Sequence, residues 1–371
     1  VHDLGDRGQR HACGTTGPSQ GPGPSGQGAA AATAWGLTGG SQATFDYSQQ
    51  AWNGAHPSQA ISFLYYSNDA YKQKVRVAIG AGSAPTVFEN WGGGQLADYV
   101  RSGKVAALTP AVASAARRRY FPSVLSTAAS NGKLYGIPVN GTQPVLLYYN
   151  KDLFAKVGAQ PPKTWNDLLA LVGKFSRAGI KPIALGGGDQ WPELMYLEYL
   201  ADRIGGPSVF SNIAAGQPGA WSDPAIIRAA TMIQQLVKAD AFETGYDFVS
   251  YDAGASSALL YTGRSAMQLM GSVDFASTQG ADPAFIAGKK LGWTTFRGVP
   301  GGTGNPADIV GNPANYFSVT TEAPASAQMT AQGYLSTEVM SAGYVKNLLA
   351  ARSRLRSCSR RAGADAMPSS P

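Results

Sequence analysis

The sequence predicts an α/β fold, with parallel strands covered by helices on their faces. Three observations carry this. Apolar runs of strand length alternate with stretches of helical period. Gly, Asn and Asp clusters punctuate them. All 37 aromatic residues lie between Trp35 and Tyr344, which marks the part of the 371-residue chain that can build a core.

From Thr33 the texture becomes that of an α/β protein. Residues 60–66 read as a strand ended by Ser67-Asn68-Asp69, and 70–80 as a helix with Val75, Val77, Ala78 and Ile79 apolar. A short strand, 85–91, runs into a Gly92-Gly93-Gly94 loop, and a helix starts near Leu96. This β-α-β-α rhythm implies a parallel sheet. Residues 136–140 are extended, and 145–149 form a buried strand. Thr164 starts a helix, with its hydroxyl as cap and Asp167 three residues on as a short capping box; Gly179 stops it. A strand over 180–185 opens into Gly186-Gly187-Gly188-Asp189-Gln190-Trp191-Pro192. Helices follow over 193–204, 224–239 and 254–262. Strands follow over 266–270, 291–296 and 316–320, and helices over 325–336 and 342–351.

The ends differ from this body. Residues 1–34 hold no aromatic residue, and the Gly17–Gly26 run has almost no apolar surface to bury, which predicts disorder there. Residues 351–371 carry five Arg against one Asp. The formal charge of +7 is therefore mostly a tail effect, with +3 on residues 35–350. No aromatics interleave with these Arg residues, so the tail is read as a solvated end and not as a nucleic-acid arm. Two Cys, Cys13 and Cys358, cannot build a four-ligand zinc site or a disulfide framework. His2, His11 and His56 are the only histidines, and the first two lie in the Gly/Ser/Pro-rich start, which argues against histidine-based catalysis. No cofactor or metal is expected: neither Gly triplet is followed by the Gly-Lys-Ser/Thr of a phosphate loop. No apolar run reaches the ~18–20 residues of a membrane span.

Ligands of open α/β sheets sit at the carboxyl ends of strands. The loops expected there repeat Gly, Trp and amide or carboxylate side chains: Trp35 before Gly39-Gly40, Trp91 before Gly92, Asp189-Gln190-Trp191, Asp274 after Gly271-Ser272, and Asn312, Asn315 and Tyr316 around Pro313. This mixture suits a sugar. An aromatic ring covers the C–H face of a pyranose, while Asp, Asn and Gln match its hydroxyl rim. For Trp91 and Trp191 the ligand role is preferred. For Trp35, Asp189 and Asp274 packing or loop capping is an equal alternative. Trp52, Trp165, Trp221 and Trp293 are assigned to packing.

Several segments resemble, in order, the extracellular sugar-binding proteins of ABC transporters, the family 1 solute-binding proteins. They are Trp91 to Val100, Tyr135 to Val139 with Leu147 to Phe154, and Pro161-Pro162-Lys163-Thr164-Trp165. Gly186 to Pro192, Gly271 to Asp274 and Gly311 to Val319 complete the series. The resemblance covers about residues 33–350. It implies a two-lobed, type II periplasmic-binding-protein-like fold joined by a hinge, with incomplete closing helices at the C-terminus. The expected division is a non-native start over 1–32, a first lobe over 33–142 plus 310–335, a second over 143–309, the start of closing helices over 336–350, and a basic tail over 351–371. Crossings between lobes are expected near Thr142–Pro144, Asp308–Gly311 and Tyr334–Thr337.

The resemblance also implies a site formed by Trp35, Trp91, Asn140, Asp189, Gln190, Trp191, Asp274, Asn312, Asn315 and Tyr316. The partners it implies are a carbohydrate ligand and the permease subunits of an ABC transporter. The chain would act outside the cell, anchored as a lipoprotein or periplasmic, although no signal peptide is visible. Two departures stand out. Val273 replaces a Trp common in the family's Gly-Ser-Trp-Asp, and both ends read as sequence in a wrong frame or as a damaged gene, which resequencing would test. Two other readings remain. One is a glycoside hydrolase using Asp189 with Asp274 or Glu193, which would need two carboxyls about 5–10 Å apart. The other is a binder of a different solute.

Overall fold

A computed structural model describes residues 31–350 other than Gly40 and Arg297. The expectations for the Gly/Pro-rich start, the Arg-rich tail, Cys13 and Cys358 lie outside these residues. In chain order the strands are β1 (Ala32–Leu37), β2 (Ile61–Tyr66), β3 (Val87–Asn90), β4 (Val105–Ala106), β5 (Ala129–Ser130), β6 (Lys133–Leu134) and β7 (Ile137–Pro138). Then come β8 (Gln143–Asn150), β9 (Lys181–Ala184), β10 (Ser265–Gly271), β11 (Leu291–Thr294), β12 (Gly311–Asn312) and β13 (Tyr316–Thr320).

Two sheets divide these strands. The first runs β2-β1-β3-β13-β4, with β7 also on β13; the second runs β11-β8-β10-β9, with β12 also on β8. Each carries its own core. Phe45, Phe63, Phe88 and Phe317 meet in the first, and Leu147, Phe154, Phe175 and Met267 in the second. The parallel expectation holds for β2-β1-β3 and for β10-β9. It fails at β13, antiparallel to β3, and at β8, antiparallel to β10 and β11. Both strands enter their sheet from the other one instead of through a covering helix, so the crossover that imposes parallel order is missing.

The chain leaves the first sheet after β7 and returns to it between β12 and β13. Outgoing and returning strands touch: Gly311 pairs with Pro144 and Asn312 with Gln143. A Cβ on Gly311 would run into the Gln143 carbonyl, so the two strands meet where only hydrogen fits. The third expected crossing, Tyr334–Thr337, is corrected. Tyr334, Leu335, Val339 and Tyr344 are buried in the first core, because the helix Ala325–Tyr334 runs on into a π-turn over Leu335–Val339 and keeps its apolar face on that sheet.

Local signals act as the residues require. Asp167 N donates to Thr164 Oγ1 at 3.1 Å and Thr164 N donates to Asp167 Oδ2 at 2.9 Å, a complete capping box for the helix Trp165–Arg177. That helix buries Trp165, Leu168, Leu171, Val172 and Phe175, each worth about 1.5–3 kcal/mol. Gly92-Gly93-Gly94 is not wholly loop: a helix already starts at Gly93. Gly92 has φ +70°, and a Cβ there would lie 2.8 Å from the Thr127 carbonyl. Asp274 likewise sits in the first turn of the helix Val273–Ala281 and not in a strand-end loop.

Candidate binding site

Residues that follow β3 of the first sheet and β9 of the second are brought together around Lys72. Trp91 follows β3 of the first sheet and packs edge-on against Tyr71, ring centroids 6.0 Å apart. Trp191 opens the helix Trp191–Gly205 of the second sheet and packs edge-on against Tyr251 at 5.2 Å. Both indoles are half-buried. Lys72, from the helix Asn68–Ala81, reaches between them, its Nζ 5.5 Å from the Trp91 ring centroid and 5.3 Å from that of Trp191. One ammonium thus lies over two aromatic faces, one from each sheet.

Three carboxylates surround it. Oxygens of Asp69, Asp189 and Asp252 lie within 4.8 Å of one another. Asp69 stands 3.9 Å from Lys72 Nζ. Asp189 is anchored from behind, its Oδ2 accepting from Asp252 N at 2.7 Å and from Ser250 Oγ at 3.1 Å. Asn68 Nδ2 donates to Asp252 Oδ2 at 3.0 Å, a second tie between the sheets. Burial, and then the neighbouring Asp252, hold the Asp69 carboxyl above the usual range. Burial, and then Asp189 among the charged neighbours, does the same to Asp252. Lys72 is pushed down by burial, against the pull of the three acids. The Trp191 indole N–H weakly favours the Asp252 carboxylate but makes no well-formed hydrogen bond.

The other sequence-predicted residues fall elsewhere. Trp35 lies on β1, half-buried, edge-on to Tyr66 at 5.3 Å with Lys74 Nζ 5.6 Å above it. Gln190 is exposed and adopts φ +62° at the turn into its helix. Asn140, Asn312 and Asn315 form one internal network. Asn315 N donates to Asn140 Oδ1 at 2.7 Å, Asn312 Nδ2 to Asn315 Oδ1 at 2.7 Å, and Asn315 Nδ2 to Glu89 Oε1 at 2.8 Å. Glu89 is buried, takes a second bond from Leu37 N at 2.9 Å, and is held above the ordinary carboxyl range by burial. Tyr316 is buried, its hydroxyl donating to the Val124 carbonyl and 2.7 Å from Thr127 Oγ1. Asp274 is buried, its Oδ1 accepting from Ser257 Oγ at 2.5 Å. Burial pushes its carboxyl up to about 6. Trp52 and Trp165 are core, whereas Trp221 and Trp293 are exposed.

Sequence reasoning missed Asn68, Asp69, Lys72, Asp252 and Glu89. A signal existed for the first two, because Ser67-Asn68-Asp69 stands at the carboxyl end of β2, where the strand-end rule applies. Lys72 and Asp252 carried none. Among the described residues no helix is long and apolar enough to cross a membrane.

A profile of the bacterial extracellular solute-binding proteins matches residues 35–336. An uncharacterised ABC transporter extracellular-binding protein of Pyrococcus horikoshii is 25% identical over 242 residues, covering 64% of this chain and 54% of that protein. A probable sugar-binding periplasmic protein of Mesorhizobium japonicum is 28% identical over 231 residues, covering 62% and 52%. The chain spans about half the length of these curated relatives. A solved structure concerned with xylan utilization by Caldanaerobius polysaccharolyticus is 29% identical with a TM-score of 0.72, covering 83% of this chain and 78% of that one. A chitin oligosaccharide binding protein, 23% identical with a TM-score of 0.67, shares the fold, covering 79% and 72%.

Proposed function

The chain belongs to the bacterial extracellular solute-binding proteins, and from that premise we propose that it binds a short β-linked oligosaccharide, xylobiose-like, between its two lobes. It would then hand the sugar to the permease of an ABC transporter, outside the cytoplasmic membrane. The observation that carries this is the pair of indoles, Trp91 from one sheet and Trp191 from the other, brought to either side of Lys72 with three carboxylates clustered beside them. Two ring faces and acceptor oxygens are what a pyranose presents surfaces to. The relative concerned with xylan utilization supports the sugar class, and the sugar-binding name of the Mesorhizobium protein supports it independently.

The lobes are assigned as residues 33–142 with 310–335, and 143–309; residues 336–350 would begin the closing helices. Trp91, Trp191 and Asp189 are the assigned ligand contacts, with Gln190 and Trp35 at the margin. Asn140, Asn312, Asn315 and Tyr316 would act one layer behind, holding the crossing strands and the Trp91 loop. Asp274 would act behind Trp191, through Tyr251. A hydrolase reading is not favoured. Asp189, the carboxyl common to both of its candidate pairs, caps the 250–252 turn, and Asp274, one of the two candidate partners alongside Glu193, is buried on Ser257.

Isothermal titration tests the proposal. Micromolar or tighter binding to xylobiose or xylotriose, without release of reducing ends, is the expected result. Silence across a panel of xylo-, cello- and chito-oligosaccharides, from protein with a cooperative melt, would overturn it.

A further inference from the structure

We infer that Lys72 is a built-in occupant of the gap between Trp91 and Trp191, tying the two lobes together until a ligand ring displaces it. Lys72 belongs to the first lobe, yet its ammonium is shared almost equally between the indole of its own lobe and that of the other, at 5.5 and 5.3 Å. Each face attracts a cation through its quadrupole. A sugar stacked on either ring takes the surface the ammonium covers, so the two occupants exclude each other.

The acids complete the device. Asp69 is on the helix of Lys72, whereas Asp189 and Asp252 come from the second lobe. Without the ammonium, three carboxylates within 4.8 Å repel across the gap. With it, the charge that opens the lobes becomes charge that draws them together. Asn68, one turn before Lys72, adds its own bond to Asp252. The Lys72 side chain is 33% exposed, so it has a path out towards solvent when a ring enters. A latch of this kind lowers the population of the open, binding-competent form and taxes ligand entry accordingly.

The first test needs no ligand. Small-angle scattering and acrylamide quenching of tryptophan fluorescence are measured on the ligand-free full chain at low salt. The wild-type protein is expected to be compact with shielded indoles. Lys72→Met, which keeps the length of the stem, is expected to have a larger radius of gyration and more quenchable tryptophan, and 1 M salt is expected to move wild type part of the way. An already extended wild-type protein, or a Lys72→Met variant as compact and shielded as wild type, overturns the inference. Should Lys72→Met fail to fold, Lys72→Gln replaces it: an opening relative to wild type supports the latch, and a variant as compact and shielded as wild type overturns it.

The second test rests on the sugar reading. Taking the ammonium off both ring faces corresponds to an association rate for xylotriose about five- to thirty-fold faster in Lys72→Met. An unchanged rate, with both proteins binding, counts against the latch. If neither protein binds xylotriose, the sugar reading fails while the ligand-free measurement still decides on Lys72.

Discussion

Two groups of residues drawn from one sequence pattern meet opposite fates in this fold. Trp91 and Trp191 end at a gap, half-buried, their faces met by a mobile class of side chain, a lysine. Asn315 and Tyr316, read from the same Gly/Asn/aromatic texture, are sealed in the first lobe with their polar atoms bonded to protein. The difference teaches that a Gly/Asn/aromatic texture does not by itself separate a half-open position from one sealed by its own lobe's hydrogen bonds. Asp189 stands between the two cases: one oxygen is bonded to the 250–252 turn, and the carboxylate also faces Asp69 and Asp252.

Perturbing the sealed group should cost stability. Asn315→Leu removes the amide donor from buried Glu89, a loss of about 3 kcal/mol read as a lower midpoint in a thermal melt; an unchanged midpoint would put Asn315 with the open group instead. Asp274 gives an effect of opposite sign. Its folded carboxyl is raised to about 6, against about 3.9 unfolded. Between those values the folded chain keeps a proton that the unfolded chain has lost. Stability therefore falls as pH rises from about 4 to 6, and stays lower above. Asp274→Asn should flatten that fall and gain roughly 3 kcal/mol at pH 7–8, checked by melts across pH.

The open group should instead report in binding. Trp91→Ala or Trp191→Ala should weaken xylotriose binding about 30-fold, or about 2 kcal/mol, while a cooperative melt persists; titration and circular dichroism separate the two effects. The smallest change calibrates the rest. Thr164→Ala, remote from both groups, should lower the midpoint by the equivalent of about 1 kcal/mol without altering affinity.

The fold was legible wherever a local rule suffices. The capping box at Thr164 and Asp167 and the apolar runs of β8, β10 and β13 each declare themselves within a few residues. Strand β1, with Gly36 next to its last residue, and the glutamine-rich helix Gln42–Ala55 lack such a rule, and their place comes from packing: Phe45 against Phe63 and Phe317. The direction of β8 and β13 depends on a chain path that crosses between sheets, which no local pattern encodes. The candidate site divides in the same way. Indoles beside glycines at strand ends stand out in the sequence. Lys72 looks like any helix-surface lysine until tertiary structure sets two rings beside it.

The contact at Gly311 bears on how the halves can move. Outgoing and returning strands are pinned at Gly311 and Pro144, with no room for even a methyl group between Gly311 and Gln143. Two rods fixed at one shared point swing readily but slide poorly past each other. The relative motion available at this crossing is accordingly a rotation about a narrow axis, with little shear. A crossing pinned in this way would let the two sheets change the angle between them more easily than their alignment.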